Sequence, residues 1–352
     1  MTHFFSPYLC NDCIYDIIEY SGSTQTLLNV ALCSKEMKEF VFSKKYYYLE
    51  TTNYKMSHMI ENILCDNEKN IQDIINRGIK NIIFKENIFP INFSKNNLSL
   101  LNKFESIDFS RTNIGAYQKQ MKKIKNVKKL FVKINNVILV NNFQNINLVF
   151  LKLEMCNLNF SYFSSMKKLE TLILKNCTIT VNSKRKFILT KTLKKLEFDS
   201  NNFVDTEMSD YYVDDILSYQ ISFMKELKYL DVNWHYDIQS YCLENLENLE
   251  YLNISKCINI DENTFSKMTK LKTLIISYAT IESTVLTNKK IFKNLQNLRN
   301  LNIRCCYNFT SEILSPLKNL ERLWIDIETV KKNYNGLKKI INAKKNIPYI
   351  YI

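Results

Sequence analysis

Glycine and proline are scarce, four of each in 352 residues, which excludes a collagen-like or a Gly/Pro-rich disordered chain. Four scattered glycines cannot build a phosphate cradle, and neither a P-loop, G-x-G-x-x-G, H-E-x-x-H nor G-x-S-x-G occurs, so nothing points to nucleotide or zinc-protease chemistry. Histidine is confined to His3, His58 and His235. Cys10 and Cys13 form one C-x-x-C with no second pair at zinc spacing. No enzyme, metal or cofactor is therefore expected. No apolar run approaches the roughly 18 residues needed to span a bilayer. The opening MTHFFSPYLCNDC lacks a basic region and is interrupted by Asn11 and Asp12, so no membrane segment or secretory signal is expected. An intracellular, cytoplasmic or nuclear home follows as the expectation, with the ten cysteines as thiols rather than disulfides. Arginine is scarce as well, 6 of 48 basic residues, while Asn, Lys and Ile number 44, 42 and 41. The formal charge of +13 thus reflects AT-rich coding pressure more than selection for a nucleic-acid partner.

What the chain has instead is a repeat. L-x-x-L-x-L-x-x-N/C recurs as LVFLKLEMC from 148, LETLILKNC from 169, LEYLNISKC from 249 and LRNLNIRCC from 298. The same frame accepts segments starting at 79, 104, 127, 193, 227, 271 and 320, eleven in all, 21 to 27 residues apart except for a gap of 34 between those at 193 and 227. A short parallel strand points alternate side chains at one face, so positions four and six should be buried with position one packed beneath them. Position nine turns the chain away, and four of the ten cysteines fall there, Cys156, Cys177, Cys257 and Cys306, as small buried weak donors.

The array resembles leucine-rich repeat proteins of the cysteine-containing kind. The resemblance implies an α/β solenoid of about eleven repeats with a parallel, concave β-sheet, over residues 79–352. NIPYIYI from Asn346 reads as a closing strand after a Lys-rich helix over residues 331–345. The 34-residue gap leaves an acidic insertion near residues 203–226, expected as a loop or helix away from the sheet.

Residues 1–45 change to helical spacing, with Ile14, Ile17 and Ile18, then Leu28, Ala31 and Leu32, separated by SGSTQ. This stretch resembles an F-box, the small all-α module that docks cullin-type ubiquitin ligases through a Skp-type linker. Leu9 stands at the family's leading Leu-Pro, Ile14, Ile17, Ile18 and Tyr20 follow its first helix, and LLNVALCSKEMKEFV from Leu27 follows its ending. Cys10 replaces the Pro, Met37 the Trp and Cys33 the Val of the pattern. The resemblance implies that Leu9, Ile14, Ile17, Ile18, Leu28, Leu32, Ser34 and Lys35 bind the linker. The alternative is that these helices only cap the first repeat, since solenoids need caps. Residues 46–78 serve as connection and cap in either case.

Two surfaces are candidates for binding. Residues 117–153 hold eight lysines and no acid; Lys128, Lys129, Lys133 and Lys152, near Lys175, Lys194 and Lys195, suggest a patch for an acidic or phosphorylated protein. Positions three, five, seven and eight should face the hollow of the sheet or its rim. In the C-terminal repeats these are Tyr229, Asp231, Trp234, Tyr251, Asn253, Tyr278, Asn302, Arg304 and Trp324. Aromatics beside Arg have the composition of a binding hot spot, so the target of the expected ligase adaptor is placed there. Composition is compatible with an AT-rich protist or a large DNA virus of eukaryotes.

Overall fold

The computed structural model describes residues 48–50, 81–85, 101–111, 124–133, 138–139, 147–181, 191–205, 213–235, 238–257, 261, 263–278, 290–306, 310–343 and 349–351. The F-box-like stretch and its eight linker-binding candidates lie outside them. The chain divides into two compact units, residues 1–131 and 132–352.

In the first unit, β1 (Tyr48–Glu50), β2 (Asn81–Lys85) and β3 (Ser106–Arg111) run parallel, Tyr48 opposite Asn81 and Ile82 opposite Ile107. The alternation that places Ile107 and Phe109 on one face buries both, over Leu101, Phe104, Ile124 and Val127. β1 has no counterpart in the sequence reading. β4 (Lys129–Lys133) lies across the boundary between the units.

The second unit carries the repeats most completely. Its main sheet runs in the order β6 (Phe150–Glu154), β8 (Thr171–Lys175), β10 (Lys195–Asp199), β12 (Tyr229–Asp231), β13 (Tyr251–Asn253), β14 (Thr273–Ile275), β15 (Asn300–Asn302), β16 (Arg322–Trp324) and β17 (Tyr349–Tyr351), all pairs parallel. With β2, β3 and β4, every one of the eleven sequence copies has a strand beginning at its third position. Position four forms an unbroken row, Leu151, Leu172, Leu196, Leu230, Leu252, Leu274, Leu301 and Leu323, each 0% exposed. Position six and position one complete the core, from Leu153 and Leu148 to Ile325 and Leu320, none above 1% exposed. Burial of each such side chain stabilises by about 1.5–3 kcal/mol. That burial exists only because the next repeat covers it, which is why the units stack as a solenoid.

At position eight the backbone enters the left-handed region in seven successive copies: Met155, Asn176, Ser200, Trp234, Lys256, Tyr278 and Cys305, with φ between 50° and 69°. This is the sharp exit from the strand, and non-Gly residues tolerate it at about 1–2 kcal/mol each. The conformation is held from outside, because the position-eight N–H donates to the position-seven carbonyl of the next repeat: Met155 to Lys175, Asn176 to Asp199, Trp234 to Ser255, Lys256 to Ser277 and Tyr278 to Arg304, at 2.8–3.2 Å. Position nine then bonds backwards. Cys177, Cys257 and Cys306 Sγ donate to the carbonyls of Leu153, Val232 and Ile276, and Asn201 Nδ2 to that of Leu174. His235 occupies the same slot, edge-on to Phe198.

A second parallel sheet, absent from the sequence reading, follows the turns: β5 (Ile138–Leu139), β7 (Asn157–Asn159), β9 (Thr178–Val181) and β11 (Asn202–Asp205), with Leu158 opposite Ile179 and Ile179 opposite Phe203. The acidic insertion supplies β11 and then α1 (Val213–Ser222), whose Leu217 and Ile221 are buried. The expected C-terminal helix is α2 (Ile327–Ala343), which ends before the closing strand β17. Gly336 lets α2 approach the buried 3-10 turn at Ser311–Leu314: a Cβ at residue 336 would stand 2.0 Å from Ser311 Oγ.

Candidate functional site

With positions four and six turned inward, positions three and five of each strand form the outer face of the main sheet, and positions seven and eight its rim. The burial patterns of β6, β10, β12 and β15 alternate accordingly. The sheet is therefore a rigid lattice on which residues of one position stand roughly 4.8 Å from their equivalents in the next repeat.

Among the described residues, the candidate lysines other than Lys129 are paired with acids. Lys133 pairs with Glu154 at 2.7 Å, Lys175 with Glu197 at 2.7 Å, Lys195 with Glu197 at 3.3 Å and Lys194 with Glu170 at 2.9 Å. Lys128 likewise meets Glu105. Glu154, Glu170 and Glu105 come from neighbouring repeats at the same strand position as their lysines, and Glu197 reaches Lys175 from the next repeat, so a count along the sequence could not see these pairs. Burial works to raise the Glu197 carboxyl, but the Lys175 ammonium beside it, helped by Lys195, outweighs this and holds it below the ordinary carboxylate value. Lys175 is raised in turn, chiefly by its bond to Glu197.

Across the middle of the face, Tyr229 and Tyr251 stack with ring centroids 4.1 Å apart and planes 2° from parallel, and Lys195 Nζ lies 3.9 Å from the Tyr229 centroid. In-register position-three residues can do this because adjacent parallel strands hold them at stacking distance. Burial pushes both phenols up, with each ring's neighbours, Tyr251 for Tyr229 and Asp231 for Tyr251, adding to it. Burial also raises the Asp231 carboxyl, against bonds from Asn253 Nδ2 at 3.0 Å and the Asn233 N–H at 3.2 Å, with Glu197 and Asp199 contributing repulsion.

The polar residues expected to touch a target have a second duty. Asp231, Asn253 and Asn302 at position five each accept the N–H two residues on, from Asn233, Ser255 and Arg304, and so close their strands as Asx turns. Asn253 is buried and its Oδ1 also accepts from Ser255 Oγ.

At the rim the aromatic and cationic candidates line up. Trp234 and Tyr278 are 47% and 56% exposed, the position-eight residues of alternate repeats. Lys256 sits between them at the same position, its Nζ over the Trp234 ring and 5.4 Å from the Tyr278 centroid. Arg304 follows, partly exposed, one repeat beyond Tyr278. The sequence reading missed Lys256, although its eighth position, shared with Trp234 and Tyr278, was legible. Trp324 stands apart from this column, at position five of β16 in register with Asn302 and Tyr351. Among the described residues no group of His, Cys, Asp and Glu is placed to hold a metal ion, and no helix is long and apolar enough to cross a membrane.

No family model and no curated protein sequence matches the chain. Among solved structures, a chain of the mouse RP105/MD-1 complex is similar over 74% of this chain and 45% of its own length, at 16% identity and a TM-score of 0.52. An internalin from Listeria monocytogenes is similar over 77% of this chain and 94% of its own, at 13% identity and a TM-score of 0.43. Internalin C2 of the same bacterium is similar over 66% and 84%, at 15% identity and a TM-score of 0.35. At 16% identity the likeness to the RP105/MD-1 chain is one of fold alone, a parallel-sheet solenoid of leucine-rich repeats.

Proposed function

We propose that this chain is a non-catalytic substrate-recognition adaptor: the outer face of its C-terminal repeats captures a target protein, and residues 1–45 dock a Skp-type linker and through it a cullin ubiquitin ligase. Target capture rests on one observation, the exposed Trp234 and Tyr278 beside the stacked Tyr229 and Tyr251 on a rigid sheet. Large aromatics held at solvent leave apolar area uncovered unless a partner covers it. The ligase connection is supported by the F-box resemblance of the sequence from Leu9 to Lys35. Such an adaptor acts by raising the local concentration of target lysines at the bound conjugating enzyme.

The experiment is affinity capture of the tagged full-length chain from eukaryotic lysate with identification of co-purified proteins. A Skp-family subunit and one recurrent target are expected. Trp234→Ala and Tyr251→Ala should each weaken target capture by about 2 kcal/mol or more with linker recovery unchanged; Trp234→Ala should leave the melting curve nearly unchanged, whereas Tyr251→Ala also loses the stack on Tyr229, about 0.5–1.5 kcal/mol. Failure to recover a Skp-family subunit, with a known F-box control succeeding, ends the ligase reading and leaves a leucine-rich repeat interaction scaffold whose N-terminal helices are a cap. In that scaffold, deleting residues 1–45 lowers the melting temperature of the repeats, whereas loss of a docking module leaves it in place.

A further inference from the structure

We infer that the rim formed by Trp234, Lys256, Tyr278 and Arg304 is a docking site for an acidic, extended segment of a partner protein; this deepens target capture on the C-terminal repeats and rests on it. The charge of the outer face changes along the sheet. In the copies beginning at 148, 169 and 193, its cations are Lys152, Lys175 and Lys195, and they are matched by Glu154, Glu197 and Asp199 at hydrogen-bonding or ion-pair distance. In the copies beginning at 249, 271 and 298, positions three, five, seven and eight hold Lys256 and Arg304 and no carboxylate. In the adjoining copies the outer-face acids are Asp231, which accepts from Asn253 and Asn233, and Asp326, which accepts the Cys305 N–H. Among the described residues neither Lys256, set between Trp234 and Tyr278, nor Arg304, one repeat beyond Tyr278, makes an ion pair, and the two cations are complementary to carboxylates.

The spacing fixes the ligand further. Lys256 and Arg304 lie two strands apart, roughly 10 Å, which in an extended chain rising about 3.3 Å per residue matches acidic residues three apart. Between them the ligand's apolar groups lie on Tyr278, with Trp234 covering the end. The rim needs no rearrangement to receive it, because the N–H groups of Trp234, Lys256 and Tyr278 are already tied to the next repeat at 3.2, 3.0 and 2.9 Å.

The test uses the full chain and fluorescein-labelled peptides of one length and equal Leu and Tyr content, one acidic, one neutral and one basic. The acidic peptide should bind about tenfold or more tightly than the others, and Lys256→Met and Arg304→Met should each remove most of that preference. Lys272→Met, at position two and bonded to Glu250 at 2.6 Å, should not. Equal binding of the three peptides, or tighter binding of a single-stranded RNA oligomer or of phosphatidylserine vesicles, overturns the acidic peptide as occupant. If Trp234→Ala weakens capture of the cellular target while Lys256→Met and Arg304→Met leave it unchanged, the acidic ligand is wrong and target capture on this face stands. If none of the three substitutions changes capture, both fall.

Discussion

Replacing Gly336 by Ala should destabilise the C-terminal unit, although the same change in an open helix stabilises. Inside α2 the substitution gains about 1 kcal/mol of helix propensity. Against this, the new Cβ falls 2.0 Å from Ser311 Oγ and 3.0 Å from Ser311 Cβ. Rotation of the hydroxyl relieves the first contact but not the second, since Ser311 is 7% exposed and its Cβ is fixed by the 3-10 turn in which it lies. Overpacking of a closed site of this kind costs about 1–3 kcal/mol. The second contact selects the upper part of that range, leaving a net loss of about 1–2 kcal/mol. For a unit of this size that lowers the melting temperature by roughly 3–6 °C. Thermal and urea unfolding of the full chain would measure it, alongside Ser311→Gly and the double variant. Ser311→Gly removes both offending atoms, so in the double variant the Gly336→Ala step should turn from unfavourable to neutral or favourable, a coupling on the order of 1–2 kcal/mol. Gly336→Ala melting at or above the parent, or the same penalty in both backgrounds, would refute the close approach of α2 to Ser311–Leu314.

The position-nine thiols offer a second check. Cys156, Cys177 and Cys257 are buried and unlinked, at most 2% exposed, so they should resist alkylation in the native protein and react on unfolding. Rapid native labelling of all three would mean that the strand register is wrong. A third check is pH. Glu197 is lowered in the fold, so its contribution is present above the ordinary Glu value of about 4.3 and lost as pH falls through the folded one. Asp231 is raised, so acidification through its folded value toward about 3.9 restores stability that its charged form withholds. In urea melts across acid pH, the advantage of the parent over Glu197→Gln should shrink as pH falls, and its standing relative to Asp231→Asn should improve; parallel pH profiles for all three would show that neither carboxylate is perturbed.

How legible the molecule was depended on whether a residue's role is set by its own repeat or by its neighbour. The position-four leucines from Leu151 to Leu323 were readable because an apolar residue recurring every repeat can only be a buried row. The strands, the closing strand β17 and most of α2 followed from the same periodicity. The second sheet was not, because each of its strands is only two to four residues long, too short for an alternation to show, and its pairing is with another repeat's turn. The pairing of the lysines was not legible for a related cause. Residues 117–153 hold no acid in sequence, yet Lys133 and Lys152 find Glu154, one residue past that window, and Lys175 finds Glu197. Asp231, Asn253 and Asn302 were read as polar contacts without the Asx turns that engage them.

The sequence by itself determined the repeat frame, the parallel strands, the buried leucines, the position-nine ladder and the gathering of aromatics in the C-terminal repeats. These follow from the two-residue alternation of a strand and from the need of each repeat to cover its apolar face. Only the tertiary structure decided which charges cancel, which aromatics stack and which stay at solvent. Stacking brings residues 21 to 34 positions apart to within one strand spacing. There the chemistry of a position is set by the residue beside it in the next repeat: Glu197 neutralises Lys175, Tyr251 covers Tyr229, and Lys256 stands between Trp234 and Tyr278 with no acid to meet it.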